Sequence, residues 1–399
     1  VTRTILTLNA GSSSLKFALF DANEERPRRL AVGELEGIGV HPHLLVKGAE
    51  GAVLADEDWV HGEGSDPHEE PMARVMRWIE QHFGEDRVCA VGHRVVHGGA
   101  EFHAPVRITP DVYVRLEALT PFAPLHQPAC LGPVRAFLRQ HPDLPQVACF
   151  DTGFHHGMPA VARHVALPSV YDRKGVRRYG FHGLSYEHIV DRLSEEQPEA
   201  IGKRVLVAHV GNGASLCAIR DGKSVATTMG FSVLDGMMMG TRCGHIDPGV
   251  LLYMLQEEGM DASRLETLLY HEAGLQGVSG VSSDMRALRE KSADPAVRMA
   301  LDLFVYRFAE QVGAMMMALG GVDILVFTAG IGEHDAAFRA AACACLFWMG
   351  VRIDEAANAG HRAVISTPES SVAVQVMPAD EEATIIRHVR SVLKEGSKS

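Results

Sequence analysis

The chain is 399 residues long, about two to three times a typical single domain, so two domains with separate cores are expected and small stapled folds are excluded. Its net charge of −12, with charged residues at 22%, leaves no basic footprint for nucleic acid or anionic lipid, and any anionic ligand must be held locally. Hydrophobic residues at 46% and 39 glycines describe a globular chain rich in turns, in which 21 histidines stand out.

The opening TILTL, NAGSSS and LKFALFD, from Thr4, predict a strand, a tight Gly/Ser turn and a second strand. VLVAH, VGNGA and SLCAIRDG repeat that plan, and a slide of 201 residues sets Ser14-Leu15 on Ser215-Leu216. This is an internal duplication, clearer in pattern than in letters. Each turn would expose several backbone N–H groups, and two facing turns could hold a chain of phosphates from both ends. From His41 to Glu70 the chain is polar and rich in His, Gly and Asp. Thr109 and Pro110 then mark a helix start, as N-cap and first residue, and Pro-rich loops follow around TPFAPLHQP. Val297, Leu301, Phe304, Phe308, Val312, Met315 and Leu319 recur at helical spacing and predict a long core helix closed by Gly320-Gly321, with Met315–Met317 as core filler. VDILVFT reads as a buried strand, AGIGEH as a glycine turn at its carboxyl end, and an Ala-rich helix follows. SVAVQVMPA is a strand, and a final helix begins near Glu381.

The seven cysteines include no C-x-x-C pair and no zinc spacing, which points to buried thiols in a reducing compartment; Cys343 and Cys345 sit in an Ala-rich apolar run. VTRTILTLNAGSSS has no sustained apolar core or small-residue cleavage site, so a cytoplasmic location is expected. The longest apolar stretch, 315–332, contains Asp323 and four glycines and is read as helix plus strand, not as a membrane span.

No G-x-x-x-x-G-K-[ST] occurs, and neither GNGASL nor GIGEHD completes G-x-G-x-x-G, so phosphates, if bound, are held in another way. Three glycine turns that each follow a strand are the remaining candidates.

Those turns and their surroundings resemble the acetate kinase family, in the superfamily of sugar kinases, large heat-shock chaperones and actin. The resemblance is carried by NAGSSSLKF from Asn9, GHRVVHGG from Gly92, APLHQPA from Ala123, FDTGFH from Phe150, RYGFHGLS from Arg178, HVGNGAS from His209, MGTRCGHIDPG from Met239, SSDMR from Ser282, FTAGIGEH from Phe327 and PADEE from Pro378. It implies an α/β fold of two duplicated actin-like (ribonuclease H-like) domains with an interdomain cleft, one of 1–150 plus 385–399 and one of 151–384. It also implies reversible Mg²⁺-dependent transfer of phosphoryl from ATP to acetate, giving acetyl phosphate and ADP, with Mn²⁺ as an alternative ion and a homodimer as the working form.

The resemblance further implies the site. Asn9 and Glu381 match the magnesium-linked pair, and oxygen ligands are what Mg²⁺ takes. Lys16, His209, Val210, Gly211, Asn212 and Gly213, then Asp284, Met285 and Arg286, then Gly330, Ile331, Gly332, Glu333 and His334, match segments that hold the nucleotide. Arg94 and Arg242 match the active-site arginines. Joining a carboxylate to a γ-phosphate brings two anions together, and cationic forks orient the acid and absorb transition-state charge. His182 matches the phosphoryl-stabilising histidine, and His126 falls on another active-site position. Asp151 matches the active-site aspartate. A small carboxylic acid is already ionised at neutral pH and needs no general base, so Asp151 is expected to organise a metal, a water or an arginine.

By the same resemblance Val96, Leu125, Phe181 and Val233 line the acyl pocket. Here the chain departs from the family: Val233 stands where proline is usual, and GHIDP, GIGEH, LHQP, GLSY and ADEE replace GDLDP, GIGEN, LHNP, GTSH and TNEE. The alternatives are a propionate or other short-chain acyl kinase and, in a different class, a non-catalytic nucleotide-gated clamp or filament subunit.

Overall fold

A computed structural model describes residues 3–11, 14–24, 27–38, 41–59, 69–84 and 87–396. The chain forms two compact units, Val1–Gly153 with Asp380–Ser399, and Phe154–Ala379. The expected boundaries lay a few residues away, and the difference moves Asp151 and Glu381 into the first unit.

The first unit is built on strands β1 (Thr4–Ala10), β2 (Ser14–Asp21), β3 (Arg29–Glu36), β4 (His43–Gly48), β5 (Val53–Asp58), β6 (Val88–Val95), β7 (Val106–Arg107) and β8 (Gln146–Phe150). Their order in the sheet is β5-β4-β3-β2-β1-β6-β8-β7. β1 to β5 run as an antiparallel meander, while β1, β6 and β8 are parallel neighbours. Parallel pairing needs crossovers, supplied by the helices Glu69–Phe83, Pro110–Glu117 and Gln127–Gln140. Thr109 Oγ1 accepts from Val112 N at 3.2 Å, with Pro110 inside the first turn, as the sequence predicts.

The second unit holds β9 (Arg204–Val210), β10 (Ala214–Arg220), β11 (Lys223–Thr227), β12 (Ile324–Thr328) and β13 (Ala373–Val376), ordered β11-β10-β9-β12-β13. Three antiparallel strands followed by two parallel ones repeat β3-β2-β1-β6-β8, the structural form of the duplication. β12 is buried along its whole length, which is why its sequence is an unbroken apolar run. The helix Pro295–Leu319 packs over this sheet; Asp294 caps its start and Gly320, at φ 72°, ends it in the left-handed region. Phe338 joins it to β12, with Phe304, Phe308 and Phe327 at 5.3–6.0 Å in edge-on contact.

Two local expectations fail, and one stretch with no expected element forms strands. The polar stretch 41–70 contains β4 and β5; 60–68 lie outside the described residues. Only Leu44, Val46 and Ala55 of that hairpin face the core, too few to show through its charges and glycines. Met317 is 83% exposed, so the methionine run is not core filler. AGIGEH is a six-residue helix, Ala329–His334, begun by Ala329 at φ 66° directly after β12.

Candidate active site

The carboxyl ends of β1, β6 and β8 lie at one edge of the first sheet, and each carries one polar residue of a single cluster. Arg94, near the end of β6, donates from Nε to both oxygens of Asp151 at 3.1 Å and from Nη2 to Oδ2 at 2.5 Å. Its Nη1 donates to Asn9 Oδ1 at 3.1 Å, and Asn9 Nδ2 donates to Glu381 Oε2 at 3.0 Å. Glu381 Oε2 is 4.0 Å from Arg94 Nε. Burial disfavours the Arg94 charge, but Asp151 and Glu381 outweigh it and raise the guanidinium pKa. The Glu381 carboxyl is pushed up to about 7, first by burial; Arg94 works against that, and the Asp151 charge adds to it.

Two carboxylates therefore face one guanidinium, and the cluster is short of positive charge. Asn9 and Glu381 offer hard oxygen donors to a cation that would relieve the shortfall. No group of three or more His, Cys, Asp or Glu placed to hold a metal occurs among the described residues.

Lys16 lies opposite Asn9 across the β1–β2 pairing and forms an ion pair with Glu34 at 3.4 Å. Val96, one residue past β6, is buried; Leu125 and His126 are half-buried just before the helix Gln127–Gln140. Gln127, not singled out in the sequence for a role of its own, ties these segments together. Its amide accepts from His97 N at 3.2 Å and donates to the carbonyls of His97 and Leu116 at 3.1 and 3.0 Å.

In the second unit His182 precedes the helix Gly183–Glu196 in the left-handed conformation, φ 60°, directly after Gly180 at φ 78° and the buried Phe181. Such a backbone costs of order 1–3 kcal/mol and clusters at functional sites. The His182 ring stacks on His209 with centroids 4.1 Å apart, and His209 Nδ1 meets Ser185 Oγ at 2.9 Å. Arg242 Nη1 donates to the Val233 carbonyl at 3.0 Å. A Cβ on Gly213 would lie 3.2 Å from Arg242 Nη2 and 3.5 Å from His182 Nε2, so both donors converge beside that glycine. Arg178, which opens the RYGFHGLS motif, bonds the carbonyls of Thr227, Thr228 and Met229 and the Asp235 carboxylate, and so pins the loop in front of His182.

A cavity of about 760 Å³ opens in this unit. Gly211, Asn212, Asp284, Met285, Arg286, Gly330, Ile331 and His334 line it, joining the glycine turn after β9 to the helix after β12. The other residues expected at the nucleotide do not line this cavity. His209 and Val210 are buried in β9, and Gly213 faces Arg242 and His182. Gly332 gives its carbonyl to Arg339, and Glu333 turns inward to accept from Ala329 N and Ala379 N at 2.8 and 2.9 Å. Ser283, from the SSDMR motif, completes the lining with Arg289, Glu290, Asp335 and Ala336, which the sequence did not single out, Arg289 donating to Asp335 at 2.6 Å. Asp284 also caps the helix Met285–Glu290, accepting from Ala287 N at 2.8 Å. All seven cysteines are free thiols; Cys343 is buried and Cys345 exposed. No helix among the described residues is long and apolar enough to cross a membrane.

A duplicated actin-like sheet plan, an arginine–carboxylate cluster at the strand ends of one unit and a glycine-edged cavity in the other fit a phosphotransferase, and the family match makes its acceptor a carboxyl group. The acetokinase family profile matches residues 4–387, and the chain belongs to that family. It is 49% identical to the acetate kinase of Rhodopseudomonas palustris over 96% of this chain and 97% of that one, and 46% identical to that of Nitrobacter hamburgensis over 99% and 98%. Among solved structures, Porphyromonas gingivalis acetate kinase is 37% identical, with coverage of 98% and 100% and a TM-score of 0.87. A propionate kinase from Francisella tularensis is 33% identical, with the same coverage and a TM-score of 0.90. The activity is accordingly transfer of phosphoryl from ATP to acetate, which sets aside the clamp or filament reading.

Proposed function

We propose a division of labour within this reaction. Arg94 orients the carboxylate of acetate, and Arg242 with His182 takes up the charge that develops on the transferred phosphoryl group. The observation that carries the reading is the capture of Arg94 by Asp151: the guanidinium is fixed in place and keeps its charge although buried. With both oxygens turned to Arg94, Asp151 acts as an organiser and not as a base, since acetate arrives ionised. Asn9 and Glu381 would hold Mg²⁺, or Mn²⁺ in its place; when bound, the ion neutralises charge on the β/γ-phosphate oxygens.

The cavity edged by Gly211, Asn212, Arg286 and Gly330 takes ATP, and Lys16 is a nucleotide contact by its match to the family. By their match to the family, Val96, Leu125, Phe181 and Val233 are assigned to the acyl chain and His126 to the active site. The enzyme works as a homodimer in the cytoplasm. The helix Pro248–Gln256, with Val250, Leu252, Tyr253 and Leu255 exposed and no residue buried, supports self-association.

A second reading, propionate as an additional substrate, is favoured by Val233 at a position where the family usually has proline. Trapping the acyl phosphate as its hydroxamate with acetate, propionate and butyrate in turn tests both. Acetate is expected to give the highest kcat/KM with propionate close behind, and product with neither acid overturns the assignment.

A further inference from the structure

His182 ends a short hydrogen-bond chain whose other two members have no role in the division of labour above. Its Nδ1 is 2.8 Å from Ser215 Oγ, and that oxygen is in turn hydrogen-bonded to the Tyr186 hydroxyl. Ser215 on β10 and Tyr186 on the helix that His182 begins are both fully buried. Burial holds the Tyr186 phenol protonated, its pKa raised well above 10.

Two hydroxyl hydrogens must find acceptors here. Among the described residues, Tyr186 has only Ser215 Oγ as a side-chain hydrogen-bond partner, and Ser215 Oγ has only Tyr186 and His182. If His182 carried its proton on Nδ1 and donated to Ser215, either the tyrosine or the serine hydrogen would be left buried and unpaired. An unsatisfied buried donor costs about 1–3 kcal/mol. One arrangement alone pairs every hydrogen: Tyr186 donates to Ser215, Ser215 donates to His182 Nδ1, and the ring proton sits on Nε2. That nitrogen is the one that converges with Arg242 Nη2 beside Gly213.

We infer that Tyr186 and Ser215 are positioning residues that set the tautomer of His182, so that a neutral imidazole presents Nε2–H as a donor next to Arg242. Tyrosine here is one of the departures from the family pattern, which usually has GTSH where this chain has GLSY. A phenol that stays protonated cannot accept the serine hydrogen without losing its own bond, and so gives the chain a fixed direction.

The inference rests on the assignment of His182 to the phosphoryl group, and its test separates the two. Enzyme carrying ¹⁵N in its histidine rings, with the His182 signals assigned through His182→Gln, reports the tautomer directly: wild type is expected to show a pyrrole-type Nε2 and a pyridine-type Nδ1. Ser215→Ala is expected to mix the two forms and lower kcat by about 10- to 100-fold while KM for ATP and acetate stays within about twofold. Tyr186→Phe, which leaves Ser215 free to turn, gives a smaller shift in the same direction and a smaller kcat loss. A pyrrole-type Nδ1 in the wild type overturns the inference without any variant, and so does a tautomer that neither substitution moves. An active His182→Gln enzyme beside a tautomer that shifts as expected overturns the role of His182 and upholds the relay.

Discussion

Arg94 and Asp151 meet through three hydrogen bonds of 2.5–3.1 Å although 57 residues separate them. Parallel pairing of β6 with β8, which sets Arg94 against Cys149 and Val95 against Phe150, brings the aspartate level with the arginine. The Asp151 side chain is 1% exposed and that of Arg94 19%, so the pair is held largely away from water.

Removing one member of such a pair strands the other charge. Asp151→Ala is expected to cost about 3–5 kcal/mol in stability by denaturant unfolding. Asp151→Asn keeps an acceptor for the guanidinium and is the variant for kinetics: lower kcat, a higher Mg²⁺ requirement and a retained acidic limb of the pH profile. Loss of that limb with unchanged metal dependence would return Asp151 to a proton-transfer role.

Glu381 gives the cluster a pH dependence. Its carboxyl titrates near 7 in the fold against an ordinary value near 4.5, so the folded state binds this proton more tightly than the unfolded chain. The stabilisation it contributes is complete below about pH 4.5 and is lost as pH rises through about 7. Glu381→Gln should therefore gain stability relative to wild type across that interval, by on the order of 1–3 kcal/mol. A Mg²⁺ ion at this carboxylate displaces the proton, so its affinity should rise with pH up to neutrality and its binding should release protons. Calorimetry in two buffers of different ionisation enthalpy measures that release, and pH-independent Mg²⁺ binding would remove Glu381 from the metal site.

Val233 is buried, and its carbonyl braces Arg242. Val233→Pro retains that carbonyl and restricts the backbone, so Arg242 chemistry should survive while the acyl pocket stiffens. Each methylene accommodated is worth about 0.8 kcal/mol, roughly fourfold in kcat/KM. Propionate is expected within about tenfold of acetate for the wild type and further behind for Val233→Pro. Propionate rejected by about a hundredfold or more, or an unmoved ratio in the variant, would show that Val233 does not set chain length.

The two hairpins were legible because β-branched and apolar runs flank Gly/Ser turns, and the long helix because Val297, Phe304, Phe308 and Val312 keep a helical period. Arg94, Asp151 and Asn9 were legible one by one through the resemblance, but their convergence is a property of strand order. Glu333 is placed at the nucleotide by the resemblance alone; its carboxylate also accepts two backbone N–H groups, from Ala329 and Ala379, a bracing role the sequence did not signal. Arg339 left no signal in the sequence. It is fully buried, bonds the carbonyls of Gly332 and Glu333 and the side chain of Asn358, and secures the short helix at the cavity edge. Its partners come from segments up to 22 residues away and follow no period.

Acyl phosphate formation from ATP and acetate by Arg242→Ala, beside wild type and with the fold checked by thermal unfolding, bears most directly on how this enzyme works. A guanidinium that acts on the transition state predicts a loss of about 10²- to 10⁴-fold in kcat with the fold intact. A kcat near that of the wild type would contradict the account.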